Sequence, residues 1–167
     1  MKQKNTFNFS LIILLFAFTI FSKNVYSQCI IPNEFEGNTG VNMTCLMLTS
    51  FIDNLTIESD NPYLVVLTSS GVLVGSSSVA ADELNNGQAS LAVWGDDTFT
   101  NWIDGALEGE VLTMKFVDGF NVYTLTPIEL TGSSFTYSTN STLLMTGFEI
   151  ESSCYFDLNS GCMDAMA

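Results

Sequence analysis

The segment EVLTMKFVDGFNVYTLT (Glu110–Thr126) decides the fold class of this chain. Two runs of alternating apolar and polar residues flank Asp118-Gly119, and Asp-Gly in this position is typical of a type I′ β-hairpin. A two-residue loop there pairs Val117 with Phe120. One face of the hairpin is then apolar and is assigned to the core. A slip of one residue would turn this face outward, so we expect the register to be well defined. This predicted core face consists of Leu112, Met114, Phe116, Tyr123 and Leu125; the other face carries Thr113, Lys115, Val122 and Thr124.

The rest of the chain shows the same short apolar runs, separated by Gly, Asn, Asp and Ser and without sustained helical periodicity. Thr49–Ile57 fits either a short helix or a strand. Several strands at this spacing predict an all-β fold, specifically a single-domain antiparallel β-sandwich. The further strands predicted, the first two as a hairpin and the last two as a pair, are Tyr63–Thr68, Gly71–Ala80, Gln88–Trp94, Ser133–Ser138 and Thr142–Ile150.

The first 27 residues are predicted to be a secretory signal peptide and are left out of the fold. Lys2 and Lys4 precede the apolar run Leu11–Phe21, which is too short to span a bilayer comfortably. The alternative is an N-terminal membrane anchor. The remaining chain is predicted to form a β-sandwich module at residues 28–151, followed by a polar linker that begins at residue 152.

The strongly acidic charge of the chain narrows the classes of partner that it is expected to bind. Once residues 1–27 are removed, Lys115 is the only basic residue against 18 Asp and Glu, and the sequence contains no His. Such a surface repels phosphate backbones and anionic lipid heads, so we expect no nucleic-acid binding and no membrane insertion after signal removal. The same charge keeps the chain soluble and could attract divalent cations.

Four cysteines remain in the exported chain. They are candidates for disulfide bonds, and four cysteines allow three different pairings. Their spacing and the absence of His argue against a zinc site, and free buried thiols are the alternative. The candidates are Cys29, Cys45, Cys154 and Cys162.

The connection VWGDDTFTNWIDGALEGE (Val93–Glu110) concentrates acidic residues and holds both tryptophans of the chain. A metal site is one interpretation, because hard carboxylate oxygens suit calcium. Calcium is therefore the one candidate cofactor. The spacing does not match an EF-hand, in which acids or Asn stand at alternate positions before the Gly. The candidate ligands are Asp96, Asp97, Asp104 and Glu110, with Glu108 nearby.

A sugar-binding platform is the second interpretation of this connection. Trp94 and Trp102 could stack on pyranose rings while carboxylates accept hydrogen bonds from hydroxyl groups. Trp94 ends an alternating strand, so a core position is its alternative. Trp102 stands in a polar loop and is the better candidate for an exposed ligand contact.

Catalysis and simple turn formation are the remaining interpretations. A glycosidase needs two carboxyl groups roughly 5–10 Å apart beside a cleft, but the chain has no His, no Arg and no G-x-S-x-G elbow. We therefore predict no enzyme activity and no catalytic residues. In the turn interpretation, Asp side chains bind nearby backbone and Gly supplies positive φ. A structured connection is thus preferred, with cation binding as an addition.

Several motifs follow one another between Phe35 and Pro127: FEGNTGVNMT, GVLVGSSSV, ASLAVWGDD, IDG, EGE and a strand ending in VDG. Together they resemble a module of secreted and surface proteins of the Bacteroidetes. The tail GCMDAMA resembles the start of a Cys-rich repeat that often follows such modules. The resemblance implies that residues 152–167 hold a linker and the truncated start of that repeat, and that Cys162 lacks its partner here.

The resemblance also implies where the protein acts. Proteins with these modules commonly end in a sorting domain for type IX secretion, and the module has no established catalytic residues. We expect a secreted, extracellular or cell-surface module with an adhesion, scaffolding or interaction role within a larger protein. Its expected partners are surface polysaccharides or other surface proteins. The rival function is a carbohydrate- or calcium-binding accessory module of an exported hydrolase.

Overall fold

The computed structural model describes residues 30–97, 99–131 and 134–155, the last five as backbone only. The predicted signal peptide lies outside these residues. Within them no helix combines the length and apolar character needed to cross a bilayer. The described elements are β1 (Asn42–Met47), α1 (Thr49–Ile52), β2 (Tyr63–Thr68), β3 (Leu73–Ser78), β4 (Ala89–Trp94), β5 (Leu112–Asp118), β6 (Asn121–Glu129) and β7 (Thr142–Tyr155).

The strands join into one sheet in the order β3-β2-β5-β6-β7-β1-β4. The edge strands β3 and β4 lie against each other. Their contact is so close that a Cβ added at Gly75 of β3 would overlap the carbonyl oxygen of Ala92 on β4. The sheet is therefore curled almost into a barrel. The all-β prediction is confirmed, whereas the strands of the described residues form one sheet and not the two stacked sheets of a sandwich. The sheet is also mixed rather than antiparallel, because β1 and β7 pair in parallel. Their other neighbours, β4 and β6, pair with them in the antiparallel direction.

The core fills the inside of the curled sheet. In β1, Met43, Cys45 and Met47 point inward and alternate with partly exposed residues. The ambiguous segment after β1 forms a single helical turn, α1, which adds Phe51 and Ile52 to the core. Other side chains fully buried in this cluster are Leu64, Val66, Val74, Val79, Leu91, Val93, Met114 and Met145.

The central hairpin is present, but its register differs from the predicted one. Asp118 pairs with Asn121, so the loop residues are Gly119 and Phe120. Gly119 has φ +61 and Phe120 does not have a positive φ, which fits a type II′ turn and not type I′. The reason is that Asp118 stays in the strand: its two carboxylate oxygens accept hydrogen bonds of 2.7 Å from the N–H groups of Glu58 and Ser59.

The shifted register keeps the predicted faces. Met114 pairs with Leu125 and Phe116 pairs with Tyr123, in place of the predicted pairs of Met114 with Tyr123 and Leu112 with Leu125. The partner of each residue shifts by two positions, an even number, so partners remain on the same side of the pleat. The predicted core face is therefore correct, although Tyr123 is only partly buried.

The other predicted strands have mixed outcomes. The hairpin at Tyr63–Thr68 is confirmed as β2 and β3, and Gln88–Trp94 is confirmed as β4. The pairing of Ser133–Ser138 with the last strand is wrong. Its described residues run beside the start of β5 instead, where the Leu112 N–H donates to the Phe135 carbonyl. Strand β7 continues to Tyr155, four residues past the predicted module boundary.

A segment before β1 crosses the outside of the sheet. The Tyr63 hydroxyl donates to the carbonyl of Pro32, and the Phe35 N–H donates to Ser76. Val65, which pairs with Ser76, is fully buried beneath this side of the sheet. Val122 is also buried, although the sequence placed it on the polar face. The outer face is thus partly covered, which alternation within the strands alone does not reveal.

Candidate functional site

The connection between β4 and β5 is anchored at its base. The Asp96 N–H donates to the carbonyl of Ala106 (2.9 Å), and the Ala106 N–H donates to the carbonyl of Trp94 (3.0 Å). The two ends of the excursion are therefore joined like neighbouring strands, and Gly95 forms an isolated parallel bridge with Ala106. Residues between these points project from one end of the curled sheet.

Two glycines make this base possible. A Cβ at Gly95 would overlap the hydroxyl oxygen of Tyr137, which is almost completely buried, and a Cβ at Gly105 would overlap the backbone of Gly95. Neither glycine has a positive φ. They are required for space and not for backbone conformation, so the positive φ predicted for these turns is wrong.

The aspartates of the connection bind its own backbone. Oδ1 of Asp96 accepts a hydrogen bond from the Asp104 N–H at 3.0 Å, and Oδ1 of Asp97 accepts one from the Phe99 N–H at 2.7 Å. The Asp97 contact, to backbone two residues on, is typical of structured turns, and the Asp96 contact joins the two ends of the connection. These two contacts agree with the interpretation of the segment as a structured connection.

The glutamates tie the connection to neighbouring loops. Oε1 of Glu110 accepts hydrogen bonds from the N–H and hydroxyl of Ser69, and Oε2 accepts one from the Leu107 N–H. The Glu108 carboxylate accepts hydrogen bonds from the Ser138 hydroxyl and the Thr139 N–H. Three loops at this end of the sheet are thus joined through two carboxylates.

The predicted metal ligands do not form a cluster of three among the described residues. Among residues 30–97, 99–131 and 134–155, no group of three acidic, His or Cys side chains could hold an ion. Asp96, Asp97 and Glu110 bind backbone N–H groups instead. Oδ1 of Asp104 is buried without a hydrogen-bond partner among the described residues, but a single oxygen falls short of the six to eight that calcium requires.

The loop exposes aromatic side chains at its outer end. Phe99 is 92% exposed and Trp102 is 69% exposed; we call these two residues the aromatic tip. Ile103 and Val111 are also exposed beside them in the sequence. Sequence reasoning selected Trp102 but missed Phe99, although a lone Phe between Thr98 and Thr100 in a polar loop was a usable signal.

Trp94 belongs to a different environment from Trp102. It is the last residue of β4, where Leu91 and Val93 point into the core, and it lies on the opposite, outer side of the strand. It is partly buried there. The alternative of a core position is therefore wrong, because the alternation of β4 places Trp94 with Ser90 and Ala92.

Cys45 is a free thiol, fully buried in the core. The disulfide expected of it is not formed among the described residues. Burial, and to a lesser extent the nearby Glu129 carboxylate, raises the pKa of the Cys45 thiol to about 12, so it is unreactive at neutral pH. Cys29, Cys162 and the side chain of Cys154 lie outside the described residues.

The glutamate contacts predict a pH-dependent stability. Hydrogen bonds from the Ser69 side chain and the Leu107 N–H hold the pKa of Glu110 below its ordinary value of 4.5. The Thr139 N–H and the Ser138 hydroxyl similarly lower the pKa of Glu108. A lowered folded-state pKa stabilises the fold above the unfolded value near 4.5, and this contribution is lost as the pH falls through the folded value.

We therefore expect Glu110→Gln to reduce the free energy of unfolding by about 1 kcal/mol at pH 7. The difference in stability between this variant and the parent protein should shrink when melting is measured near pH 3, because the parent's Glu110 carboxylate is then increasingly protonated. Glu83→Gln changes an exposed glutamate elsewhere and serves as the control. A Glu110→Gln defect that is equally large at both pH values would contradict the assignment.

No protein-family model matches the chain, and comparison with curated proteins and with solved structures finds no significant match. The resemblance to a Bacteroidetes surface module therefore stays a prediction from the motifs.

Proposed function

We propose that the protein is an exported, non-catalytic module that contacts a partner at the cell surface through the aromatic tip. The observation that carries this proposal is the display of Phe99 and Trp102 on a loop whose base is fixed. Aromatic side chains bury large areas at little conformational cost. A loop whose base is already held by hydrogen bonds loses less entropy when it binds than a free loop does.

The state of the carboxylates supports a binding role over catalysis. A catalytic carboxyl pair needs one member with a raised pKa, so that it can donate a proton near neutral pH. The pKa values of Glu108 and Glu110 are lowered instead, and their oxygens are occupied by backbone and hydroxyl donors. These groups hold loops together and are poorly suited to proton transfer.

The sequence motifs and the charge support export and surface location. The resemblance implies a module of secreted proteins, and the acidic surface predicted after signal removal would resist binding to anionic lipid. Adhesion or scaffolding within a larger protein is the role we infer. In this role the curled sheet is a rigid support and the aromatic tip is its contact.

Polysaccharide binding by an accessory module is the second candidate function. Trp102 favours it, because the face of an exposed tryptophan is suited to stacking on a sugar ring. Asp97 stands in the same loop and is only partly buried. The two candidates differ in the partner, protein or glycan, and share the aromatic tip.

The experiment compares binding of the labelled protein to cell envelopes of the organism that produces it. The variant Phe99→Ser/Trp102→Ser removes both rings of the aromatic tip. Both side chains are exposed, so we expect an unchanged melting temperature and at least about a ten-fold loss of affinity, as for aromatic hot spots. Phe120→Ser, which removes an exposed ring from the β5–β6 turn, is the matched control.

Treatment of the envelopes separates the two candidate partners. Periodate destroys glycans and leaves most proteins, whereas protease does the reverse. Loss of binding only after protease treatment supports the adhesion or scaffolding role. Loss only after periodate supports the polysaccharide role. Binding that is insensitive to the tip variant contradicts both.

A further inference from the structure

A single stretch of chain covers the inner face of the sheet at the end opposite the aromatic tip. It begins with α1 and runs from β1 to β2. The Ser50 hydroxyl donates to the carbonyl of Thr146 on β7, and the ring of Phe51 lies 4.9 Å from that of Phe148. The stretch then reaches β5, where Asp118 holds Glu58 and Ser59. We call residues 49–60 the crossover.

The crossover leaves a cleft between itself and strands β5, β6 and β7. From the crossover, Leu55 contributes an apolar side chain, while Asn54 and Thr56 are exposed at the mouth. The sheet contributes three aromatic and two aliphatic side chains. The resulting cleft has a volume of about 210 Å³, and the sheet residues that line it are Phe116, Tyr123, Leu125, Phe148 and Ile150.

Aromatic rings form much of this lining. Phe116 and Tyr123 are cross-strand partners, stacked with ring centroids 5.8 Å apart and an interplanar angle of 22°. Phe148 adds a third ring from β7. Rings of this kind attract cations through the negative charge density on their faces, most strongly where water is excluded.

The charges around the cleft are negative. Asp118 follows the cleft-lining Phe116 by two residues on the same side of β5, and its carboxylate binds the Glu58 N–H. Burial raises the pKa of the Tyr123 hydroxyl, and the nearby carboxylates of Glu58 and Asp118 raise it further. Lys115, the only cation among the described residues, stands between the inward-facing Met114 and Phe116 and belongs to the outer side of β5. An anionic ligand would thus meet repulsion without a compensating positive charge.

We propose that this cleft binds a small organic ammonium cation, of the trimethylammonium type, against the partly buried rings of Tyr123 and Phe148. The volume suits a ligand of this size, since sites for larger, drug-sized molecules measure about 300–1,000 Å³. The aromatic lining would contact the methyl groups, and Glu58 and Asp118 supply the negative potential. This site is separate from the aromatic tip and does not depend on the proposed surface role.

The test compares three ligands of nearly equal shape that differ in charge. They are choline, its neutral isostere 3,3-dimethylbutan-1-ol and the anion 3,3-dimethylbutanoate, titrated into the protein at constant ionic strength and followed by amide chemical shifts. We expect choline to bind about five- to ten-fold more tightly than the neutral alcohol, and the anion to bind least. Equal affinity for choline and the alcohol would identify a purely apolar cleft and overturn the proposal, as would no binding of choline.

A ring-removing variant locates the site. Tyr123→Leu should weaken choline binding about five-fold and change the affinity for the alcohol by much less. Phe135→Leu makes the same kind of change in a partly buried ring beside the start of β5 and should leave choline binding unaltered. Equal choline affinity in the parent protein and a folded Tyr123→Leu variant would overturn the assignment. If that variant is unfolded, chemical shifts centred away from the crossover would overturn it equally.

Discussion

Gly105→Ala is expected to lower the free energy of unfolding by about 3 kcal/mol, at the upper end of the usual cost of overpacking. The added methyl group would overlap the carbonyl carbon and oxygen of Gly95 and the amide nitrogen of Asp96. These atoms belong to backbone that is itself held by hydrogen bonds to Val41 and Ala106. The strain cannot be relieved by rotating a side chain, so the base of the loop must open.

Gly147→Ala is the matched control for this prediction. Gly147 is also buried and has no positive φ, but a Cβ there would meet its nearest neighbour, Ile128, at an ordinary 3.9 Å. We expect it to change stability by less than about 1 kcal/mol. Denaturant unfolding of both variants makes the comparison, and a Gly105→Ala protein as stable as its parent would show that the loop base is not packed as described.

Asp118→Ala is expected to destabilise the fold by about 2–4 kcal/mol. Asp118 is 2% exposed, and its carboxylate accepts two 2.7 Å hydrogen bonds that fix the crossover to β5. Hydrogen bonds to charged groups contribute about 1.5–3 kcal/mol, and removal of this acceptor leaves two N–H groups without a partner. Asp118→Asn should lose less, because its amide retains one acceptor oxygen.

Asp60→Ala tests whether the effect is specific to Asp118. Asp60 lies in the same crossover, but its side chain is exposed, and we expect a change of less than about 0.5 kcal/mol. Thermal or urea unfolding of the three variants gives the ranking. Equal stability of the Asp118→Ala and Asp60→Ala proteins would contradict the role given to the Asp118 carboxylate.

Local patterns in the sequence predicted the strands β2 to β7 and the inward face of the β5–β6 hairpin, but they did not predict β1. Alternation around Met114 and Leu125 identified the correct face, and the face survived an error in register because the pairing shifted by two residues, an even number. The register itself depended on Asp118, whose partners Glu58 and Ser59 are about 60 residues away in the chain. No local turn preference contains that information.

Features that depend on distant contacts were missed. Curling of the sheet brings β3 against β4 at Gly75, and the sequence pattern of a sandwich strand does not distinguish this from two stacked sheets. Alternation in Asn42–Met47 could have identified Cys45 as a core residue rather than a disulfide candidate, since it falls between Met43 and Met47. The cleft beneath the crossover forms because the exposed side chains of Asn54 and Thr56 leave space between the crossover and the sheet. Only the folded chain reveals this space.

At the candidate site, the sequence located the loop, the structural use of its acids and one of the two proposed contact residues. Asp and Gly marked a structured connection, and Asp96 and Asp97 do bind backbone. The role of Gly95 and Gly105 in packing against Tyr137 and each other depends on segments that meet only in the folded state. Trp102 was identified by its polar neighbours, and Phe99 by the structure.

The comparison on cell envelopes tests the central claim most directly, because it measures whether the aromatic tip is the contact surface of a non-catalytic module. The account predicts that the parent protein and Phe120→Ser bind alike, and that Phe99→Ser/Trp102→Ser binds at least about ten-fold more weakly. It also predicts that the parent protein releases no soluble breakdown product from the envelopes. Equal binding by all three proteins, or steady release of product by the parent protein, would contradict it.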